Sequence, residues 1–428
     1  MKIDLQEVAD LGPDDRVAFF QRDAGIAEVR EDVRAIVERV REEGDVAVRE
    51  FTSEFDGVEV GNLEITDRCE RAYEEVDDDI REAIETAAAN VREFHEAQVP
   101  EDWRREFSEG RELGRRFRPI DRAGVYVPGG TAAYPSSAIM GVVPAVVAGV
   151  DHVSVVTPPA EELSPVTLAA IHVAGADAVY SVGGAQAIAA LAYGTETVTS
   201  VQKIVGPGNR WVTAAKAEVR GDVEIDTLAG PSEVGIVADE TADPKLVAAE
   251  LITQAEHDPN SPVVAVTDDR ELAEATVEAV EEQVPERARE DVIREALGND
   301  GSAVLHARSM SEAILFTEEY APEHLVIIAD EDEEILERID SAGSVFLGPH
   351  TPVAAGDYAS GTNHVLPTNG NARVTGGLSV ETFLRSTTVQ RLSREGLAEL
   401  GDTITTLAEA EGLEAHAASV RIRLEDDD

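Results

Sequence analysis

The sequence predicts an α/β protein with two parallel-sheet units in one chain. Short β-branched runs alternate with helical periodicity over residues 123–239, and the same alternation returns over 262–348. Parallel strands joined by helices cross over right-handed, and this rhythm is their signature. The length of 428 residues exceeds one typical domain and fits about two to four. No repeat of solenoid length is visible.

Residues 1–22 read as a short polar lead. Val29, Val33, Ile36, Val37 and Val40 then recur at helical spacing, and Gly44 closes that helix. Another helix is expected over "DDDIREAIETAAANVREFHEAQ". "AGVYVPGG" is a strand running into a glycine-rich turn, followed by "AIMGVVPAVVAG" as helix and "HVSVVTP" as strand. "SPVTLAAIHVAGA" reads as helix, "AVYSV" as strand, "GAQAIAALAYG" as helix and "VQKIVG" as strand. "NRWVTAAKAEV" is expected helical and "EIDTLAGPSEVGIVAD" extended. A helix opens the second series. Asp243 suits its N-cap, Pro244 its first turn, and Val247, Leu251 and Ala255 its buried stripe. "PVVAVT", "SAVLHA", "HLVIIA" and "SVFLG" are the later strands, each separated from the next by helical sequence. This second series is expected to pack with the early helices, which makes its domain discontinuous. From about 380 onward the chain reads as helical.

Charge is the outlier, with 86 acidic against 36 basic residues and a formal net of −50. Backbone phosphates need a basic face, so nucleic acid is a poor partner. Periodic apolar residues between the acids argue against disorder. Only Lys2, Lys203, Lys216 and Lys245 are lysines. The surface reads as built for a salty cytoplasm, where counterions screen self-repulsion. Cys69 is the only cysteine, so an intrachain disulfide is impossible and a reducing compartment fits. The start lacks an apolar core behind a basic end, and the most apolar stretch is broken by Pro144, Asp151 and His152, so neither a signal peptide nor a membrane span is expected.

No lysine follows a glycine, which excludes a P-loop, and no His-Glu-x-x-His occurs. "GPSEVG" is not a nucleophile elbow, because Val234 stands where glycine is needed. "YVPGGT", "SVGGAQ" and "VGPGNRW" lack a full G-x-G-x-x-G, yet each ends a strand and precedes a helix, where anions and nucleotides bind. One such turn is ordinary; three in successive units favour a nucleotide crevice.

In "LITQAEHDPN" the helix stops at Asp258-Pro259 just after Gln254 and His257, near its apolar stripe. Polar groups meeting water at a helix end explain this stretch by itself; half of a metal site is the sharper reading. In "YAPEHLVII", Glu323 and His324 stand side by side before an apolar strand, where they can form an acid–base pair or simply a surface pair. "AAGDYASGTNHVLPT" reads as a long polar loop carrying Asp357. Glu411 and His416 lie in the last helices, where a solvated face explains both. Gln254, His257, Asp357 and His416 together offer two nitrogens and two oxygens, a set suited to zinc, although spacing alone cannot bring them together.

The chain resembles the histidinol dehydrogenase family through "VREEGDVAV…FTSEFDG", "GVYVPGG", "GGAQAIAALAYGT", "KIVGPGN", "GPSEV", "QAEH", "YAPEHL", "GDYASGTNHVLPT" and "EGLEAHAASV", in the family order and over nearly the whole length. The resemblance implies a two-step, four-electron oxidation of L-histidinol to L-histidine with two NAD and one water, the last step of histidine biosynthesis. It implies zinc on Gln254, His257, Asp357 and His416, with Glu323 and His324 as the catalytic pair. It further implies substrate contacts from Ser232 and Glu411 as well as from the zinc ligands and His324, and NAD contacts from Tyr126, Gln186 and Asn209. The implied architecture is an α/β fold of two incomplete Rossmann-like parallel-sheet domains, with small N-terminal and helical C-terminal segments, in an intertwined homodimer. The expected divisions are 1–22; 23–125 with 234–378 for zinc and catalysis; 126–233 for NAD; and a 379–428 tail that reaches the partner's site. A zinc hydrolase, a non-catalytic nucleotide-binding protein and a dehydrogenase of another amino alcohol remain open readings.

Overall fold

The computed structural model describes residues 3–20, 25–129, 133–160 and 163–425. Lys2, the end of the polar lead at 21–22, Gly130 and Thr131 of the first glycine-rich turn, and the last three acids of the tail lie outside them. In chain order the strands are β1 (Asp4–Glu7), β2 (Trp103–Ser108), β3 (Arg111–Pro119), β4 (Arg122–Tyr126), β5 (His152–Thr157), β6 (Ala178–Ser181), β7 (Lys203–Val205), β8 (Glu224–Ile225), β9 (Val234–Ala238), β10 (Val263–Thr267), β11 (Ala303–His306), β12 (His324–Ile328), β13 (Ser344–Leu347) and β14 (Leu384–Leu392).

Two parallel sheets carry the alternating pattern. One runs β6-β5-β4-β7-β8 and the other β1-β11-β10-β9-β12-β13. Their central strands are buried end to end, as expected of parallel strands covered by helices on both faces. The polar lead is not wholly irregular: its first described residues form β1, which pairs with β11 at a sheet edge. "EIDTLAGPSEVGIVAD" is two strands rather than one. The Gly230-Pro231-Ser232 turn divides β8, in the five-stranded sheet, from β9, in the six-stranded sheet.

The helix Ile26–Glu43 ends on Gly44, whose φ of 59° suits glycine. Its buried Val29, Val33, Ile36, Val37 and Val40 do not join the second series as expected. They form one core with Ile188, Leu191, Ile204 and Val212 of the five-stranded sheet and its helices. The apolar face on the helix Gly184–Tyr193 offers a match that periodicity within the first helix could not reveal.

A smaller compact unit comprises Gln98–Ile120 and Leu384–Asp428. The antiparallel sheet β14-β3-β2 belongs to it, with the helices Arg394–Ala410 and Glu414–Leu424. The tail is therefore not helical from 380: Leu384–Leu392 pairs along the whole of β3. None of the described helices is long and apolar enough to cross a membrane.

Candidate active site

The helix Pro244–Ala255 is capped by Asp243, whose carboxylate accepts the Lys245 N–H at 2.9 Å. It buries Glu250 and Gln254 along with its apolar stripe. At its end the His257 N–H donates to the Gln254 carbonyl at 3.2 Å, which turns the imidazole outward to line a cavity. The surrounding protein lowers the His257 pKa, while Asp357 opposes that shift.

The helix Met310–Tyr320 ends on Ala321 in the left-handed region, φ 49°, and Pro322 then leads into β12. Glu323 and His324 follow and are only 5% and 3% exposed, which overturns the surface-pair reading. Register explains their company. His324 lies opposite Val234, so the Ser232-Glu233 segment before β9 sits against Glu323. A Glu323 carboxylate oxygen accepts a short hydrogen bond from the Ser232 hydroxyl and the Glu233 N–H at 3.0 Å.

Asp357 stands in a short helix, Val353–Tyr358, where the sequence suggested a loop. Glu250 accepts the Val353 N–H at 3.0 Å and so fixes the start of that helix. The His364 Nδ1–H donates to the Asp357 carbonyl at 3.0 Å. His324 lies between carboxylates, with Nδ1 3.6 Å from Glu323 and Nε2 3.4 Å from Asp357. Nε2 has ion-pair proximity to Asp357 without hydrogen-bond alignment.

Burial disfavours the His324 imidazolium, but the two carboxylates outweigh it and push the pKa to about 9. Burial raises the pKa of Glu323, restrained by His324 and its two hydrogen bonds. Burial also works against the Asp357 carboxylate, yet His324, His364 and His257 hold its pKa below the usual range.

The glycine-rich turns close the opposite wall. Tyr126 ends β4, and its hydroxyl accepts the Gly184 N–H at 3.2 Å. Gln186 is 1% exposed in the helix Gly184–Tyr193, with no partner for its Oε1. Asn209 caps the helix Arg210–Val219, accepting the Trp211 and Val212 N–H groups at 3.0 and 3.2 Å.

A cavity of about 500 Å³ is lined by Tyr126 and Asn209 on one side and by Ser232, His257, Glu323, His324 and Asp357 on the other. An adjoining cavity of about 850 Å³ is lined by Tyr126, Gln186 and Asn209. The turns lie at the carboxyl ends of β4 to β7, the usual ligand side of an open parallel sheet. The Glu–His pair lies at the amino ends of β9 and β12, on the unusual side of its own sheet.

Not every expected residue joins this wall. Gln254 is buried one turn before His257, outside the cavity lining, with an unpartnered Nε2. Glu411 and His416 belong to the smaller unit, both exposed. Among the described residues of the single chain, no three His, Cys, Asp or Glu side chains group as a metal site. Sequence reasoning passed over Glu250. Glu250 sits four residues before Gln254 on one helical face, which was the available signal.

Glycine-rich turns facing a buried carboxylate–imidazole pair across one cavity define an α/β fold with an enzyme-type pocket. The family model for histidinol dehydrogenase matches residues 20–424, and the chain belongs to that family, a family of oxidoreductases. It is 74% identical over 423 residues to a histidinol dehydrogenase of Haloarcula marismortui, covering 99% of this chain and all of the relative. It is 69% identical over 425 residues to that of Halobacterium salinarum, again covering 99% and 100%. The crystal structure of histidinol dehydrogenase from Elizabethkingia anophelis superposes with a TM-score of 0.94 at 37% identity, over 99% of this chain and 98% of that one.

Proposed function

We propose that this chain oxidises L-histidinol to L-histidine in two successive steps, with NAD as electron acceptor and a zinc ion anchoring the substrate. The observation that carries the reading is the buried Glu323–His324–Asp357 cluster on the wall that faces Tyr126 and Asn209. Tyr126, Gln186 and Asn209 are the residues that would hold the nucleotide. His257 and Asp357 offer a nitrogen and an oxygen at the cavity. The orphaned amide of Gln254 fits a third donor, since its N and O positions are interchangeable assignments. These residues suit a borderline divalent ion, with His416 of a second copy as the fourth donor. When bound, NAD supplies the hydride acceptor and zinc a Lewis acid that grips imidazole and amine nitrogens.

In its neutral form, which gains population as pH rises towards about 9, His324 would take the alcohol proton, and the charge of Asp357 would stabilise the imidazolium that results. Glu323, oriented by Ser232 and the Glu233 N–H, is placed to take a proton from water as it adds to the aldehyde.

A homodimer supplies His416 and Glu411 to each site in this reading. The exposed Phe107, Leu407, Leu413 and Ile422 of the smaller unit are suited to an interface. Its three strands carry eight arginines against two glutamates, in a chain whose net charge is −50. The test is to count NADH formed per L-histidinol in molar salt, before and after chelation. Two per substrate, lost on chelation and restored by zinc, is expected; turnover without NADH would point to a hydrolase and overturn the reading.

A further inference from the structure

The adjoining cavity holds an acid that the reaction above does not use. Asp56 is the last residue of the helix Asp45–Asp56, just before Gly57 turns the chain at φ 68°. It lines the cavity together with Tyr126, Gln186 and Trp211. Its Oδ2 is sealed from solvent yet has no hydrogen-bond donor among the described residues. The buried Oε1 of Gln186, on the same wall, also lacks one. Enclosed acceptors without donors are costly and rare. Burial alone pushes the Asp56 carboxyl to about 6, as expected of a carboxylate still waiting for a partner. A carboxylate and an amide with unpartnered oxygens, both on residues that line one cavity, suit a ligand that brings hydroxyl or amine donors.

Position decides which part of the ligand arrives there. The two cavities share Tyr126, Pro128, Gly129 and Asn209, whereas Asp56 lines only the one away from Glu323 and His324. A dinucleotide whose nicotinamide reaches the reacting carbon therefore leaves its adenosine half beside Asp56. Ribose carries a vicinal diol, the donor pair that a carboxylate reads in many dinucleotide sites. No Lys, Arg or His lines this cavity among the described residues, while Glu54 adds a second acid. A phosphate on the 2′-hydroxyl would meet only like charge.

We propose that Asp56 accepts the hydroxyls of the adenosine ribose and is the residue that selects NAD over NADP. The inference rests on the nucleotide reading above. Its test compares wild type with Asp56→Asn and Asp56→Ser in molar salt, measuring KM for NAD and NADP at saturating L-histidinol. Asp56→Asn is expected to raise the NAD KM by about tenfold or more and to narrow the NAD/NADP preference by about tenfold, with kcat and the L-histidinol KM within about twofold. An unchanged NAD KM with an unchanged preference overturns the role. If the serine variant fails to fold, the near-isosteric asparagine variant carries the test. Direct calorimetric titration of wild type and Asp56→Asn with NAD and NADP separates the two readings. NAD binding that weakens in the variant supports the Asp56 role even if wild type makes no NADH from L-histidinol. Equal binding by both proteins, or no NAD binding at all, ends it.

Discussion

Glu323 combines full enclosure, two hydrogen bonds to one oxygen, and a cationic neighbour. Replacing it with Gln keeps an acceptor for Ser232 and the Glu233 N–H but removes the base. Glu323→Gln is expected to slow aldehyde oxidation by about 10²- to 10³-fold while alcohol oxidation falls less than about tenfold. Rates measured separately on L-histidinol and L-histidinal check this, and equal losses would contradict the division of labour. At this scale the sequence was a good guide to residue types and a poor one to environment. Adjacent Glu and His were visible in "YAPEHL", but burial comes from β9 lying against β12, a contact some 90 residues distant in the chain. Asp56 was invisible as a candidate, because a helix-terminal Asp before Gly normally meets water.

Elements position these groups, and the turn after β7 is the best tied of them. The Gly206 N–H donates to Asp226 Oδ2 at 2.7 Å. Lys216 Nζ donates to the Gly206 carbonyl at 2.6 Å and to Asp226 Oδ1 at 2.7 Å, and both side chains are almost fully buried. Gly206 has φ of 104°, and a Cβ there would meet the Tyr126 carbonyl at 2.3 Å. This clamp sets Asn209 at the head of its helix and the shared wall of the two cavities. Lys216→Met leaves Asp226 buried without its cation and is expected to cost about 3–5 kcal/mol. Chemical denaturation in molar salt measures it, and a loss under about 1 kcal/mol would show that the clamp is not structural. The elements legible in the sequence were those with a strong period: the opening helix, the capped helix Pro244–Ala255 and the buried parallel strands. β2, β3 and β14 were not, because they are largely exposed and show no apolar–polar alternation. The helix carrying Asp357 has six residues, too few for a period to register.

Across the whole molecule the dominant physical fact is a net charge of −50. Two of the four lysines are interior tools rather than surface charge: Lys216 in the clamp, and Lys203, whose Nζ donates to the Thr382 carbonyl at 2.6 Å. Lys245 is exposed, and Lys2 lies outside the described residues. The carboxylates repel one another across a surface that salt screens within about 3 Å at molar strength. The melting temperature is accordingly expected to rise by several degrees between dilute buffer and molar salt. A flat or falling curve in differential scanning fluorimetry would refute the salt-adapted reading, which the halophilic archaeal relatives favour.

The sequence by itself determined the fold class, the strand–helix rhythm, the charge and the family, because each is written in local periodicity, composition or contiguous motifs. Only the tertiary structure decided that the opening helices cover the five-stranded sheet and that Glu323 and His324 are buried. It alone set His257 and Asp357 opposite Tyr126 and Asn209, with Asp56 in a cavity beside them. Those outcomes depend on pairings between segments far apart in the chain, and burial, pKa and cavity shape arise only once such segments exclude water together.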